Sequence, residues 1–75
     1  MPYIAIKAYP KDDETKKKLV EKVNAAFLEV CGCSQEALSI SIEEVAPSDW
    51  EETVVKREVI PNKDKMFILS GEKKY

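Results

Sequence analysis

Two short stretches of this chain alternate in hydrophobicity with a period of two, and one long stripe of helical period runs between them. In the first, Tyr3 to Tyr9, Ile4, Ile6 and Ala8 point one way and Tyr3, Ala5, Lys7 and Tyr9 the other. In the second, Ala37 to Val45, Leu38, Ile40 and Ile42 share one face while Ser39, Ser41 and Glu43 share the other. From about Asp13 to Val30 the apolar positions Leu19, Val20, Val23, Ala26, Phe27 and Val30 fall three and four apart, which traces one side of a helix. Lys16, Lys17, Lys18, Glu21, Lys22 and Glu29 lie largely off that side. Two strands joined across a helix of this length cannot form a tight hairpin. They are expected to run parallel, with a right-handed crossover.

Punctuation along the chain agrees. Pro10 cannot donate to a ladder and ends the first strand. Asp12 and Asp13 offer an N-cap, and Glu14 places an acid in the first turn. Gly32 suits the left-handed residue that follows a helix. Pro47-Ser48-Asp49-Trp50-Glu51 starts a second helix, with Ser48 and Glu51 at capping-box spacing. Trp50, Val54, Val55, Val59 and Ile60 give it an apolar side, and Pro61-Asn62 breaks it. Asn62 to Leu69 reads as a short further helix, and Ser70 to Tyr75 as a polar tail around Gly71. No repeat or linker divides the chain, so residues 1–75 are expected to be one α/β domain.

Size then becomes the difficulty. Seventy-five residues bury a modest core, and two strands are not an independent sheet. The expected repair is a symmetric dimer, whose paired β-α-β units make a four-stranded sheet with helices on one face. The long C-terminal helix would occupy the face used for stacking dimers, which favours a dimer over a hexamer. A 44% hydrophobic and 35% charged composition describes a soluble globular chain. With 12 basic and 14 acidic residues the net charge is −2, which gives no general attraction to nucleic acid or anionic membrane. No apolar run is long enough to span a bilayer, and Lys7, Lys11, Asp12 and Asp13 interrupt any leader-like start, so the expected location is the cytoplasm. Cys31-Gly32-Cys33 has neither zinc nor redox spacing and reads as a reduced pair at a helix end. No metal or cofactor is called for.

The chain contains no histidine, so the usual acid–base side chain near neutral pH is missing. Proton transfer must fall to carboxylates, lysines, tyrosines, thiols or the terminus. Pro2 is the notable candidate. Once Met1 is trimmed, it carries a free secondary amine on a rigid ring at the head of a strand. Such an amine, held neutral at working pH by a lowered pKa, is both a base and a nucleophile.

These features together resemble the tautomerase superfamily, and more narrowly the 4-oxalocrotonate tautomerase family. The resemblance rests on Met1-Pro2-Tyr3-Ile4-Ala5-Ile6, on Ser39-Ile40-Ser41-Ile42-Glu43-Glu44 and on Pro47-Ser48-Asp49-Trp50. The stretch Val55-Lys56-Arg57-Glu58-Val59-Ile60-Pro61 is most similar to the small dimeric branch of phenylpyruvate or enol tautomerases. The resemblance implies an isomerase without cofactor, with Pro2 as general base and then acid on a small enol or keto acid. It implies that Lys11 occupies the position of a substrate-binding arginine, Ser39 that of a second arginine, and Trp50 that of an aromatic that helps lower the proline pKa. A lysine supplies charge but not a bidentate fork, and a serine supplies one hydrogen bond. Those two changes point away from dicarboxylates and toward monoacids of the enolpyruvate type. The competing reading is a non-catalytic β-α-β oligomeric interaction module in which Pro2 is incidental.

Overall fold

The computed structural model describes residues 1–75 as two compact units, Met1–Val45 and Ala46–Tyr75. The first is the β-α-β unit. Strand β1 spans Tyr3–Ala8, helix α1 Asp13–Cys31 and strand β2 Ser39–Glu44, with a 3-10 turn at Gln35–Ala37 ahead of β2. β1 and β2 pair in parallel from Tyr3↔Ser39 to Ala8↔Glu44. The pairing extends past both ends: Ser39 N–H donates to the Pro2 carbonyl at 3.2 Å, and Val45 N–H to the Ala8 carbonyl at 2.9 Å.

Helix α1 begins and ends on the residues the sequence marks. Asp12 is its N-cap, with Oδ1 accepting from Thr15 N–H at 2.8 Å. Gly32 closes it at φ 71°, and its N–H donates to the Leu28 carbonyl at 2.9 Å. The buried stripe is rotated from the predicted one. Lys16, Leu19, Val20, Val23, Asn24, Phe27 and Leu28 are half-buried, so the packed side recurs every three or four residues. Ala26 is exposed, and Val30 is 83% exposed. Val30 keeps the phase of the packed side but lies in the last turn of α1, and Leu28 widens that side at the edge opposite Ala26. The same phase brings Lys16 onto the packed side. Asn24 and Gln35 exchange two amide hydrogen bonds, 3.0 and 2.7 Å, which tie α1 to the turn before β2. That turn takes up Ala37, so β2 starts two residues later than the alternation suggests.

The second unit is helical at first, then a hairpin. Helix α2 spans Pro47–Trp50, a π-helical segment Glu51–Val59 and a 3-10 segment Ile60–Lys65. The predicted Ser48–Glu51 capping box does not form. Ala46 is the N-cap without a side-chain bond, because Pro47 takes the first helical position, where its missing N–H costs nothing. Thr53 Oγ1 donates to the Asp49 carbonyl at 2.7 Å and so competes for a ladder acceptor where the winding changes. Pro61 removes a donor, and Asn62 leaves helical geometry at φ −112°, ψ 16°. The Asn62 side chain then donates to the Glu58 carbonyl at 2.8 Å in place of its backbone.

The short helix expected over Asn62 to Leu69 is corrected to the end of the 3-10 segment followed by strand β3, Ile68–Leu69. The expected polar tail contains strand β4, Glu72–Lys73, antiparallel to β3. Ser70 and Gly71 make the connection with φ of 50° and 84°. Two consecutive positive φ values mark the turn whose twist matches a two-residue hairpin. Phe67 and Tyr75 meet at 6.0 Å between ring centroids, and Lys73 Nζ lies 5.9 Å from the Tyr75 ring centre.

The parallel pair and its crossover helix make the fold α/β. The core is thin: only Val45 and Val54 are buried, one in each unit. No helix is long and apolar enough to cross a membrane.

Candidate active site

Pro2 lies immediately before β1 and is half-buried. The Ser39 N–H bond to its carbonyl fixes its peptide plane against the head of β2. The structure thus brings two predicted residues, Pro2 and Ser39, to one end of the parallel pair. Tyr3, next to Pro2, shares a 3.2 Å hydroxyl–hydroxyl hydrogen bond with Ser41 on the exposed face of the same strands. With Met1 attached, the Pro2 nitrogen is an amide and has no basicity. Without Met1 it would be a secondary amine at the head of β1.

Lys11 is at the other end. It sits in the connection between β1 and α1, exposed, past the full six residues of β1. At the rise of an extended strand that is roughly 20 Å from Pro2. Within one chain Pro2 and Lys11 do not share a site. Trp50 ends α2 in the second unit, where it is half-buried.

A residue outside the predicted set organises the Lys11 end. Glu44, the last residue of β2, accepts the Lys11 backbone N–H on Oε2 at 2.8 Å. Its Oε1 accepts from Lys16 Nζ at 3.3 Å, and Lys16 also pairs with Asp13 at 3.4 Å. The Lys11 N–H and then the Lys16 ammonium hold the Glu44 carboxyl below the usual carboxylate range. Lys16 is raised in turn, chiefly by its hydrogen bond to Glu44. Asp12 is lowered by its two bonds from Thr15. A signal for Glu44 was present in the sequence: in a parallel β-α-β unit the end of β2 lies beside the loop that leaves β1.

An open depression of about 380 Å³ between α1 and β2 is lined by Lys16, Lys17, Val20, Glu21 and Ile42. None of the four predicted site residues borders it. Cys31 is exposed and Cys33 half-buried, and both are free thiols.

Residues 2–56 match the family described as Tautomerase enzyme. The chain belongs to the tautomerase family. It is 29% identical over 73 residues to tautomerase PptA of Pectobacterium carotovorum subsp. carotovorum (strain PC1), covering 95% of this chain and 96% of that protein. Over 46 residues it is 44% identical to 2-hydroxymuconate tautomerase of Bacillus subtilis (strain 168), covering 60% of this chain and 74% of that one. A second PptA, from Cronobacter sakazakii (strain ATCC BAA-894), is 25% identical over 73 residues, with 95% and 96% coverage. The matched span holds the whole β-α-β unit, so the protein is an isomerase of the tautomerase type, and family membership makes a small molecule its substrate.

Proposed function

We propose that this tautomerase interconverts the enol and keto forms of 2-hydroxy-enoate or enolpyruvate-type monoacids, with Pro2 as base and then acid after Met1 is removed. The observation that carries the reading is the placement of Pro2. It stands at the head of β1, half-buried, and its carbonyl is tied to Ser39 N–H. A neutral pyrrolidine nitrogen there takes the proton of the enol hydroxyl, and the ammonium so formed then delivers it to carbon 3, where the C2–C3 π electrons form the new C–H bond as the C2–O bond becomes a carbonyl. The amine is neutral before and after, and the substrate is only rearranged.

Lys11 would hold the substrate carboxylate as a point charge, Ser39 would donate one hydrogen bond, and Trp50 would supply apolar surroundings. The separation of Pro2 from Lys11 along β1 supports a site assembled from two copies of the chain, Pro2 from one and Lys11 from the other. The thin core supports the same assembly. A homodimer that completes a four-stranded sheet is the form we favour. The relative named for 2-hydroxymuconate acts on a dicarboxylate; Lys11 and Ser39 give this chain a weaker second anion grip and support a monoacid.

Replacing Pro2 with alanine in protein shown by intact mass to lack Met1 tests the role. Ketonisation of phenylenolpyruvate is expected to fall about 10²- to 10⁴-fold, with the circular dichroism spectrum unchanged. An unchanged rate would favour the interaction-module reading instead.

A further inference from the structure

We propose that Glu44 is a positioning residue of this enzyme: it clamps the loop that follows β1 so that the Lys11 ammonium is presented at the correct place for a substrate carboxylate. The inference rests on the reading of Lys11 given above and adds to it the group that makes a flexible lysine usable.

The clamp acts on backbone, not on the ammonium. Lys11 sits in a connection of only four residues, Tyr9 to Asp12, between β1 and α1. Pro10 fixes one φ in that loop. Asp12 pins the far end by capping α1 through Thr15. Between them, Glu44 accepts the Lys11 N–H at 2.8 Å, a charge-assisted bond of the stronger kind. Glu44 is itself exposed, and two elements hold it in place. It is in register with Ala8 inside the parallel pair, and Lys16 from α1 holds its second oxygen. Lys16 is itself half-buried on the packed side of α1 and paired with Asp13. Lys16 is the charged group that meets Glu44, and Asp13 reaches it only through Lys16. The Lys7–Glu43 pair, at 3.9 Å, belongs to the neighbouring register position.

A lysine has a long stem, so its anion grip depends on how well the base of that stem is held. Sequence, β2 register and α1 phase converge on that one N–H. The Lys11 side chain stays exposed and available.

The test separates backbone from ammonium. K11A removes the ammonium and keeps the N–H; E44A and E44Q alter the acceptor and keep the ammonium. All are made in protein lacking Met1 and assayed with phenylenolpyruvate. E44A is expected to raise KM about fivefold to tenfold with kcat within about twofold. E44Q, which keeps an acceptor oxygen, is expected to recover most of the loss. In a K11A background, where KM is already raised, E44A is expected to add nothing. The Lys11 amide proton resonance is expected to move as Glu44 titrates in the wild type and to stay flat in E44Q. That readout stands even if E44A does not fold.

If K11A raises KM while E44A and E44Q leave it unchanged, the clamp is wrong and the Lys11 reading survives. If K11A leaves KM unchanged, the Lys11 reading fails and takes the clamp with it. If E44A lowers activity equally in the K11A background, Glu44 acts on something other than Lys11, and the proposal is overturned.

Discussion

The two units of this chain are built under different rules. In Met1–Val45 both ends of the long helix have a local cause. Asp12 starts α1, Gly32 ends it, and parallel register runs unbroken from Tyr3 to Ala8. In Ala46–Tyr75 winding changes from α to π to 3-10 within 19 residues, from Pro47 to Lys65, with no side-chain cap at any of the three starts. A segment with agreeing caps and register keeps the element order its pattern gives, even where the packed side of its helix is rotated. A segment governed by a proline, a threonine hydroxyl and an asparagine amide competing with the ladder does not.

The largest effect is expected at the one buried apolar side chain of the second unit. Val54→Ala should lower stability by about 2 kcal/mol in urea titration, since it removes buried methyl groups and leaves a void. Val30→Ala, on the 83% exposed face of α1, should change the midpoint very little, despite its place in the apolar stripe of the sequence. An equal loss at both sites would contradict the exposure of Val30.

Helix ends give the next largest effects. Asp12→Ala should cost about 1 kcal/mol because one capping bond is lost. Gly32→Ala should cost about as much through its positive φ alone, since nothing lies within 4 Å of the added Cβ. Ser48→Ala should cost only a few tenths of a kcal/mol, because Ser48 caps nothing. A Ser48→Ala loss matching that of Asp12→Ala would restore the capping box and erase the contrast.

The pH dependence is smaller and falls on the first unit. Asp12 and Glu44 have carboxyls lowered on folding, so the stability they add is fully present above their unfolded values near pH 4 and is lost as pH falls through the lowered ones. Lys16 is raised, so its contribution holds through neutral pH and is lost only as pH climbs past its unfolded value. Melting temperatures between about pH 5 and pH 2 should therefore fall more steeply in wild type than in E44Q. Parallel curves would remove Glu44 from the folded-state electrostatics.

The β-α-β order and both ends of α1 were legible because each rests on residues near in sequence, and the parallel pairing followed from the long helix between the two strands. The Ser70-Gly71 turn was equally local and still read as a tail: strands of two residues are too short to show alternation. Pro2 and Ser39 come together because parallel register demands it, whereas Lys11 is separated from them by the length of β1. Position in a family pattern says nothing about which residues meet inside one chain. Glu44 was missed for the opposite reason. Its role appears only when the end of β2, the loop after β1 and Lys16 of α1 are placed together.

The proposed function depends on a free Pro2 amine. Phenylenolpyruvate ketonisation by two preparations separated by intact mass, one lacking Met1 and one retaining it, tests that dependence. A rate far above buffer is expected for the first and the buffer rate for the second. Equal rates in the two preparations would contradict it.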